Sequence, residues 1–398
     1  MPASDAPASG SSASALTFAS CASFVPIGIA NVLLGPLLPT LSARWGLNYS
    51  EAGALFTVQY VASTCAVALS GVLVYYRGFR FAMKAGLLLM AAGLAVLLTG
   101  SKLLGIVSIA IYGGGLGVAV PAANLLVAEV NSHRRSSALN TLNFCWSAGA
   151  VSCPFLVAAA AREHRVSILL ALVAAFATVV AIGIAAMPAH VVEPAVKKNE
   201  GSVFDIDWKN RTLPILAVLF FLYVGTENGF GGWVATYAKS LGTLTAETAV
   251  MSASFFYAAL TGGRLVAPLL LGRMDEVRLA KAGLVMSFVG MAGLILSRGL
   301  AGIAASACAA GVGMSCVYPI TISLLSQEFG DASSRVGSVM FTAANIGGGI
   351  MPWIVGVAST QFGTLKAGLA VPLVGSAVMF ALYSRNWKPQ EKSSGSHA

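Results

Sequence analysis

The chain has 398 residues, of which 57% are hydrophobic and only 10% charged, with a mean hydropathy of +0.80. A water-soluble core of this length could not hide so much apolar surface, so the principal solvent must be lipid. The net charge of +9 would suit a nucleic-acid partner if the cations formed one patch, but they are distributed as membrane topology requires, and no nucleic-acid binding is needed to explain them.

Residues 1–15 are rich in Ser, Ala and Pro and contain no Lys or Arg, so they lack the basic start of a signal peptide and read as a disordered tail. Beyond them lie twelve apolar runs near 16–39, 50–75, 83–101, 103–128, 137–161, 165–187, 212–238, 247–271, 279–297, 300–326, 336–360 and 365–384. Each has about the 20 residues a helix needs to cross roughly 30 Å of hydrocarbon. None alternates polar and apolar residues as barrel strands do. The fold class is therefore an all-α polytopic membrane protein. Its twelve transmembrane helices form two bundles, 16–189 and 212–385, joined by a polar linker at 190–211 and followed by a tail at 386–398.

Sixteen Lys and Arg residues, among them Arg77, Arg80, Lys84, Arg134, Arg135, Lys197, Lys198, Arg273 and Lys281, fall in the even-numbered turns and the tails. Seven, including Arg44, Lys102, Arg162 and Arg165, fall on the other side. The positive-inside rule then puts both termini in the cytoplasm and the chain in the inner (plasma) membrane of the cell.

The second half repeats the first. At an offset of 197, Gly28, Asn31, Gly35, Tyr60 and Thr64 match Gly225, Asn228, Gly232, Tyr257 and Thr261, and Lys84-Ala85-Gly86-Leu87 recurs as Lys281-Ala282-Gly283-Leu284. Gly114 matches Gly311, and at 198 Gly149 and Pro154 return as Gly347 and Pro352. Parallel six-helix repeats are the architecture of the major facilitator superfamily, where a solute sits near the midplane between rocking halves.

A charge near the bilayer centre costs about 2.5 to 3.5 kcal/mol on insertion scales, so each one needs a reason. Glu227, in the seventh span, reads either as a solute-binding acceptor and protonatable coupling site or as a structural partner of Arg264. Arg264, in the eighth span, reads as a gate or structural charge. With 3.6 residues per turn, Tyr223, Glu227 and Phe230 share a face that Trp233 and Tyr237 extend, and Gly229, Gly231 and Gly232 suit a broken helix. An acid and flat rings beside loosened backbone suit a polyhydroxyl ligand; the same pattern also fits an aromatic packing stripe. The amides Asn31, Gln59, Asn124, Asn140, Asn143, Asn228 and Asn345, with Trp146 beside Asn143, offer donors and acceptors either to a solute or to neighbouring helices.

Other chemistries find no support. No phosphate-cradling Gly-Lys-Ser or Gly-Lys-Thr loop occurs, the four histidines lie outside the spans, and the six cysteines read as small packing residues. No nucleophile pairs with a base, so the chain is not expected to be an enzyme or to hold a metal or cofactor beyond a coupling H+ or Na+.

Taken together, Phe221-Leu-Tyr223-Val-Gly225-Thr-Glu227 with Trp233 and Tyr237-Ala238, Ala122-Ala123-Asn124, Thr261-Gly-Gly-Arg264, Tyr318-Pro319 and Ile346-Gly347-Gly348-Gly349-Ile350 resemble the fucose permease branch of the major facilitator superfamily. The resemblance implies a sugar:cation symporter. It also implies carboxylates late in the first span and before Ala122, where this chain has Gly35 and Val120, and an Asp in the second turn, where it has Tyr75 beside the retained Gly78 and Arg80. Coupling by the branch's usual pair is therefore not expected. Glu227 remains the candidate for a proton or sodium, and simple facilitation stays open.

The expected function is transport of a monosaccharide or similar polyol by a monomer working through alternating access. Glu227, Asn228, Trp233, Tyr237, Asn124, Asn143, Trp146, Asn31, Gln59 and Asn345 would surround the solute, and Arg264 and Arg80 would be structural or gating charges. An exporter of amphipathic compounds is the alternative on the same fold.

Overall fold

A computed structural model describes residues 10–97, 101–131, 134–163, 165–187, 210–271 and 273–385. These form α1 (Gly10–Val32), α2 (Leu34–Trp45), α3 (Tyr49–Arg77), α4 (Phe79–Val96), α5 (Lys102–Val130), α6 (Arg135–Arg162) and α7 (Val166–Ala185) in the first half. The second half holds α8 (Thr212–Gly231), α9 (Val234–Ser240), α10 (Ala246–Leu271), α11 (Glu276–Leu296), α12 (Leu300–Ser315), α13 (Val317–Phe329), α14 (Ser333–Gln361) and α15 (Leu365–Tyr383). Among the described residues, twelve helical segments are long and apolar enough to cross a membrane, with α8–α9 and α12–α13 each making one span.

One boundary changes. Residues 10–15, expected in the disordered tail, are helical, because α1 begins at Gly10. Their Ala and Ser residues tolerate a helix, the Thr17 hydroxyl donates to the Ala13 carbonyl at 2.8 Å, and Leu16 is buried against the first bundle. The tail at 386–398 and almost all of the expected linker at 190–211 lie outside the described residues.

Three spans are broken, each for a local reason. Pro36 has no amide to give the Val32 carbonyl, so the first span interrupts at Leu33 and resumes as α2. Pro319 likewise leaves Ser315 without its bond, separating α12 from α13 at Cys316. In the seventh span Gly232 still bonds to Asn228, but Trp233 donates to Phe230, a tighter turn that ends α8 and starts α9 in a new direction.

The internal repeat is a repeat of contacts. A methyl on Gly28 would fall on the Trp146 carbonyl of α6, and one on Gly149 would fall on the Val25 carbonyl of α1. In the second half Gly225 and Gly347 hold α8 and α14 together in the same reciprocal way. Such close backbone approach is what binds helices in lipid, where apolar burial offers no preference for a neighbouring helix over a lipid tail. The register slips by one residue earlier than the sequence match suggests. Gly113, not Gly114, sits on the Gln59 carbonyl as Gly311 sits on the Phe256 carbonyl.

The two halves meet on the face opposite the chain ends. There the Ser50 amide donates to Thr360 Oγ1 at 2.9 Å, Thr57 Oγ1 to the Gly349 carbonyl at 2.9 Å and Ser254 Oγ to the Val151 carbonyl at 3.5 Å. Arg162 and Glu247 lie 3.9 Å apart across the same seam. These three hydrogen bonds and this ion pair all lie on this side of the midplane. Toward the chain ends, Asn140, Asn143, Phe144 and Phe341 are exposed. The molecule is shut on one face and parted on the other.

Candidate functional site

The site is centred on Glu227, just past the middle of the span formed by α8 and α9 and half-buried. One turn earlier on the same face lies Tyr223, within electrostatic reach of the Glu227 carboxylate. Arg264 Nη2, from α10, donates to Tyr223 Oη at 3.4 Å. The phenol stands beside the guanidinium on the Glu227 face of α8, and no direct ion pair between Glu227 and Arg264 occurs among the described residues. A buried charge is tolerated when it is paired and hydrogen-bonded; Tyr223 Oη accepts from the Arg264 guanidinium, and the carboxylate stays partly accessible.

Three more tyrosines complete the surroundings. Tyr60 of α3, Tyr257 of α10 and Tyr318 of α13 all lie within the electrostatic reach of Glu227. The Tyr318 ring packs on Tyr223, centroids 5.1 Å apart, and against Phe220 at 5.6 Å. Tyr60 comes from the opposite half and lies beside Asn228. The Asn228 amide nitrogen donates one hydrogen to the Val224 carbonyl at 2.9 Å. The Tyr60 ring lies against Gly348, where a methyl would come 2.6 Å from Tyr60 Cε1. Glu227 and Asn228 therefore sit among four phenols drawn from both halves.

Other expected site residues are placed elsewhere. Gln59 is buried and fully engaged within its own half: its amide donates to the Asn31 carbonyl at 3.3 Å and its oxygen accepts from Tyr112 at 3.0 Å. Trp233 is completely buried, with Nε1 donating to the Pro352 carbonyl at 3.0 Å and its ring edge-on to Tyr49 at 6.1 Å. Tyr237 is also buried and donates to the Ile295 carbonyl at 2.9 Å. In this conformation Trp233 and Tyr237 pack on the closed face, and all three side chains hydrogen-bond to neighbouring helices. Asn124 and Asn143 each return their amide to the carbonyl four residues back on their own helix. Asn124, Trp146, Asn31 and Asn345 are half-buried and Asn143 is exposed. Arg80 caps the end of α7, with Nη2 donating to the Ile184 and Met187 carbonyls at 3.0 and 2.8 Å.

The family model of the Major Facilitator Superfamily matches residues 18–352. The chain belongs to that superfamily. It is accordingly a transporter and not an enzyme. It is 21% identical to the mouse sodium-dependent glucose transporter 1A, over 91% of this chain and 93% of that protein. It is 26% identical to a glucose/galactose transporter of Brucella abortus biovar 1 (strain 9-941), over 85% of this chain and 86% of that one. Its fold is that of FucP, a superfamily transporter solved in the outward conformation, with a TM-score of 0.65 at 20% identity, covering 92% and 97% of the two chains.

Within that family frame the substitution at Gly35 acquires a physical reason. A methyl on Gly35 would approach the Gly232 Cα to 2.8 Å, because α2 and the α8–α9 turn touch there on the closed face. No carboxylate fits between them. The tyrosines are what the sequence reading passed over: Tyr60, Tyr223, Tyr257 and Tyr318 were visible only as repeat partners, a shared face and part of a motif. The available signal was that Tyr60 and Tyr257 occupy equivalent positions in the two halves, and both converge on Glu227.

Proposed function

We propose that this transporter carries a monosaccharide by alternating access, with Glu227, Asn228 and the hydroxyls of Tyr60, Tyr223, Tyr257 and Tyr318 supplying hydrogen bonds to the sugar. The observation that carries the reading is the convergence, from both halves, of one carboxylate, one amide and four phenols on a half-buried point near the middle of the membrane. Hydroxyl-rich solutes need several donors and acceptors at once, and a tyrosine ring also covers the apolar face of a sugar. The sugars named for the two relatives fit this chemistry.

The excess of Lys and Arg on the side of the chain ends supports a cytoplasmic location for both termini in the inner membrane. The closed face is then external, and the conformation is open to the cytoplasm. The protein works as a monomer surrounded by lipid, because each chain contains both halves of the site. Glu227 is the coupling group, taking up a proton or sodium.

The test is uptake of a panel of labelled monosaccharides into proteoliposomes, with imposed proton or sodium gradients. Saturable uptake of at least one sugar is expected, with gradient-driven accumulation lost in Glu227→Gln while exchange persists. Absence of saturable flux for every sugar contradicts the substrate class. Unchanged accumulation in Glu227→Gln removes that residue from coupling.

A further inference from the structure

We propose that Gly231 and Gly348 are positioning residues of the sugar site: by lacking a side chain they seat the repeat-related tyrosines, Tyr257 and Tyr60, on the side of Glu227. This rests on the sugar site proposed above and names two residues that shape it without touching the solute.

The seam between the halves is built twice. Thr57 Oγ1 donates to the Gly349 carbonyl at 2.9 Å, and Ser254 Oγ donates to the Val151 carbonyl at 3.5 Å. Thr57 and Ser254 are related by the offset of 197, and Val151 and Gly349 by the offset of 198, so the second bond repeats the first. Three residues beyond each donor stands a tyrosine, Tyr60 or Tyr257. One residue before each acceptor the halves differ, with Gly348 in one and Ala150 in the other.

Tyr60 occupies the place that this difference leaves. Its ring crosses to the second half and lies on the bare backbone of Gly348, where a methyl would come 2.6 Å from Cε1 and 2.9 Å from Cζ, the carbon that bears the hydroxyl. Tyr257 keeps to its own half. A methyl on Gly231, one turn after Glu227, would come 2.8 Å from Tyr257 Oη. By the repeat, the first half has Leu34 at the place of Gly231, and both Leu34 and Ala150 are buried. Each tyrosine thus has a glycine seat in the second half, while side chains fill the matching places of the first. The outcome is asymmetric: Tyr60 stands beside Asn228, and both phenols lie within electrostatic reach of Glu227.

A methyl at Gly348 would displace the phenol and not the helix. Unstrained carbon contacts begin near about 3.5 Å, so the ring must retreat by roughly 1 Å. Behind it α14 is held, because Gly347 packs on the Phe221 carbonyl of α8 and the Gly349 carbonyl accepts from Thr57. A retreat of that size takes a hydroxyl out of hydrogen-bond range of a bound sugar.

The test is a set of double-mutant cycles on KM for uptake into proteoliposomes, with the sugar of the labelled panel that wild type takes up best. Tyr60→Phe alone should raise KM about fivefold. Gly348→Ala should raise it about tenfold, the same loss combined with about twofold from crowding of the seam. The double variant should also stand at about tenfold, because a displaced hydroxyl cannot be lost again, whereas independent effects would multiply to about fiftyfold. Gly53→Ala, whose methyl would come 2.8 Å from the Pro352 carbonyl oxygen on the same seam, is the contrast, and its effect should be equal with Tyr60 and with Phe at that position. Gly231→Ala with Tyr257→Phe repeats the cycle at the other seat and covers failure of Gly348→Ala to fold, with all variants compared at equal folded fraction. Effects that multiply in a cycle overturn the role of that glycine and leave the sugar site standing. Absence of saturable wild-type uptake for every sugar overturns the sugar site, and this proposal with it.

Discussion

Gly35→Ala offers a quantitative handle on the closed face. The added methyl would sit 2.8 Å from the Gly232 Cα and 3.1 Å from its carbonyl oxygen. Unstrained carbon contacts begin near about 3.5 Å, and the obstruction is backbone, so no side-chain rotation relieves it. Overpacking of this kind costs about 1 to 3 kcal/mol. The penalty applies only while the outer ends of the halves touch; once they part, the methyl has room. The equilibrium between the two conformations should therefore shift about 5- to 150-fold toward the outward-open state. Spin-label distances across the outer seam, measured by double electron–electron resonance in nanodiscs, would report the shift as a gain in the longer distance. Gly71→Ala, where a methyl meets nothing within 4 Å, serves as the neutral control. An unchanged distance distribution in Gly35→Ala would refute the assignment of this contact as the steric floor of the closed face.

Tyr60→Phe removes the hydroxyl brought beside Asn228 from the opposite half; a lost hydrogen bond of about 1 kcal/mol should weaken sugar binding roughly fivefold, measured as KM for uptake, and an unchanged KM would exclude Tyr60 from the site. Arg162→Ala cuts an exposed pair 3.9 Å apart, worth less than about 1 kcal/mol, so the same spin-label distribution should move far less than in Gly35→Ala; an equal shift would make this pair the dominant latch. Trp233→Phe deletes the donor to the Pro352 carbonyl and should lower the melting temperature by a few degrees while leaving KM within about twofold. A large rise in KM with no loss of stability would instead make Trp233 a solute-stacking ring.

Much of this architecture is legible in the sequence because the hydrocarbon thickness dictates span length and because close helix approach demands glycine at matched positions. Gly28 with Gly225 and Gly149 with Gly347 show the second constraint directly, since each pair makes the same contact in its own half. Glu227 and Arg264 stand out for a related reason, as charges that lipid does not tolerate unpaired. What periodicity could not show is where a side chain's polar atoms are spent. Gln59, Trp233 and Tyr237 have the composition of a sugar site, yet each is used up on a neighbouring helix. The tyrosines around Glu227 come from four helices distant in sequence and gather there only after folding. The conformational state was equally out of reach, because the same apolar pattern is satisfied whether the halves part on one face or the other.

The most direct test is equilibrium binding of labelled glucose and galactose to the purified transporter, wild type against Glu227→Gln, by scintillation proximity. The account predicts saturable binding by wild type, competed by unlabelled sugar, and at least a tenfold weaker affinity in the variant at equal folded fraction. Equal affinity in the two proteins would contradict the placement of the sugar at Glu227.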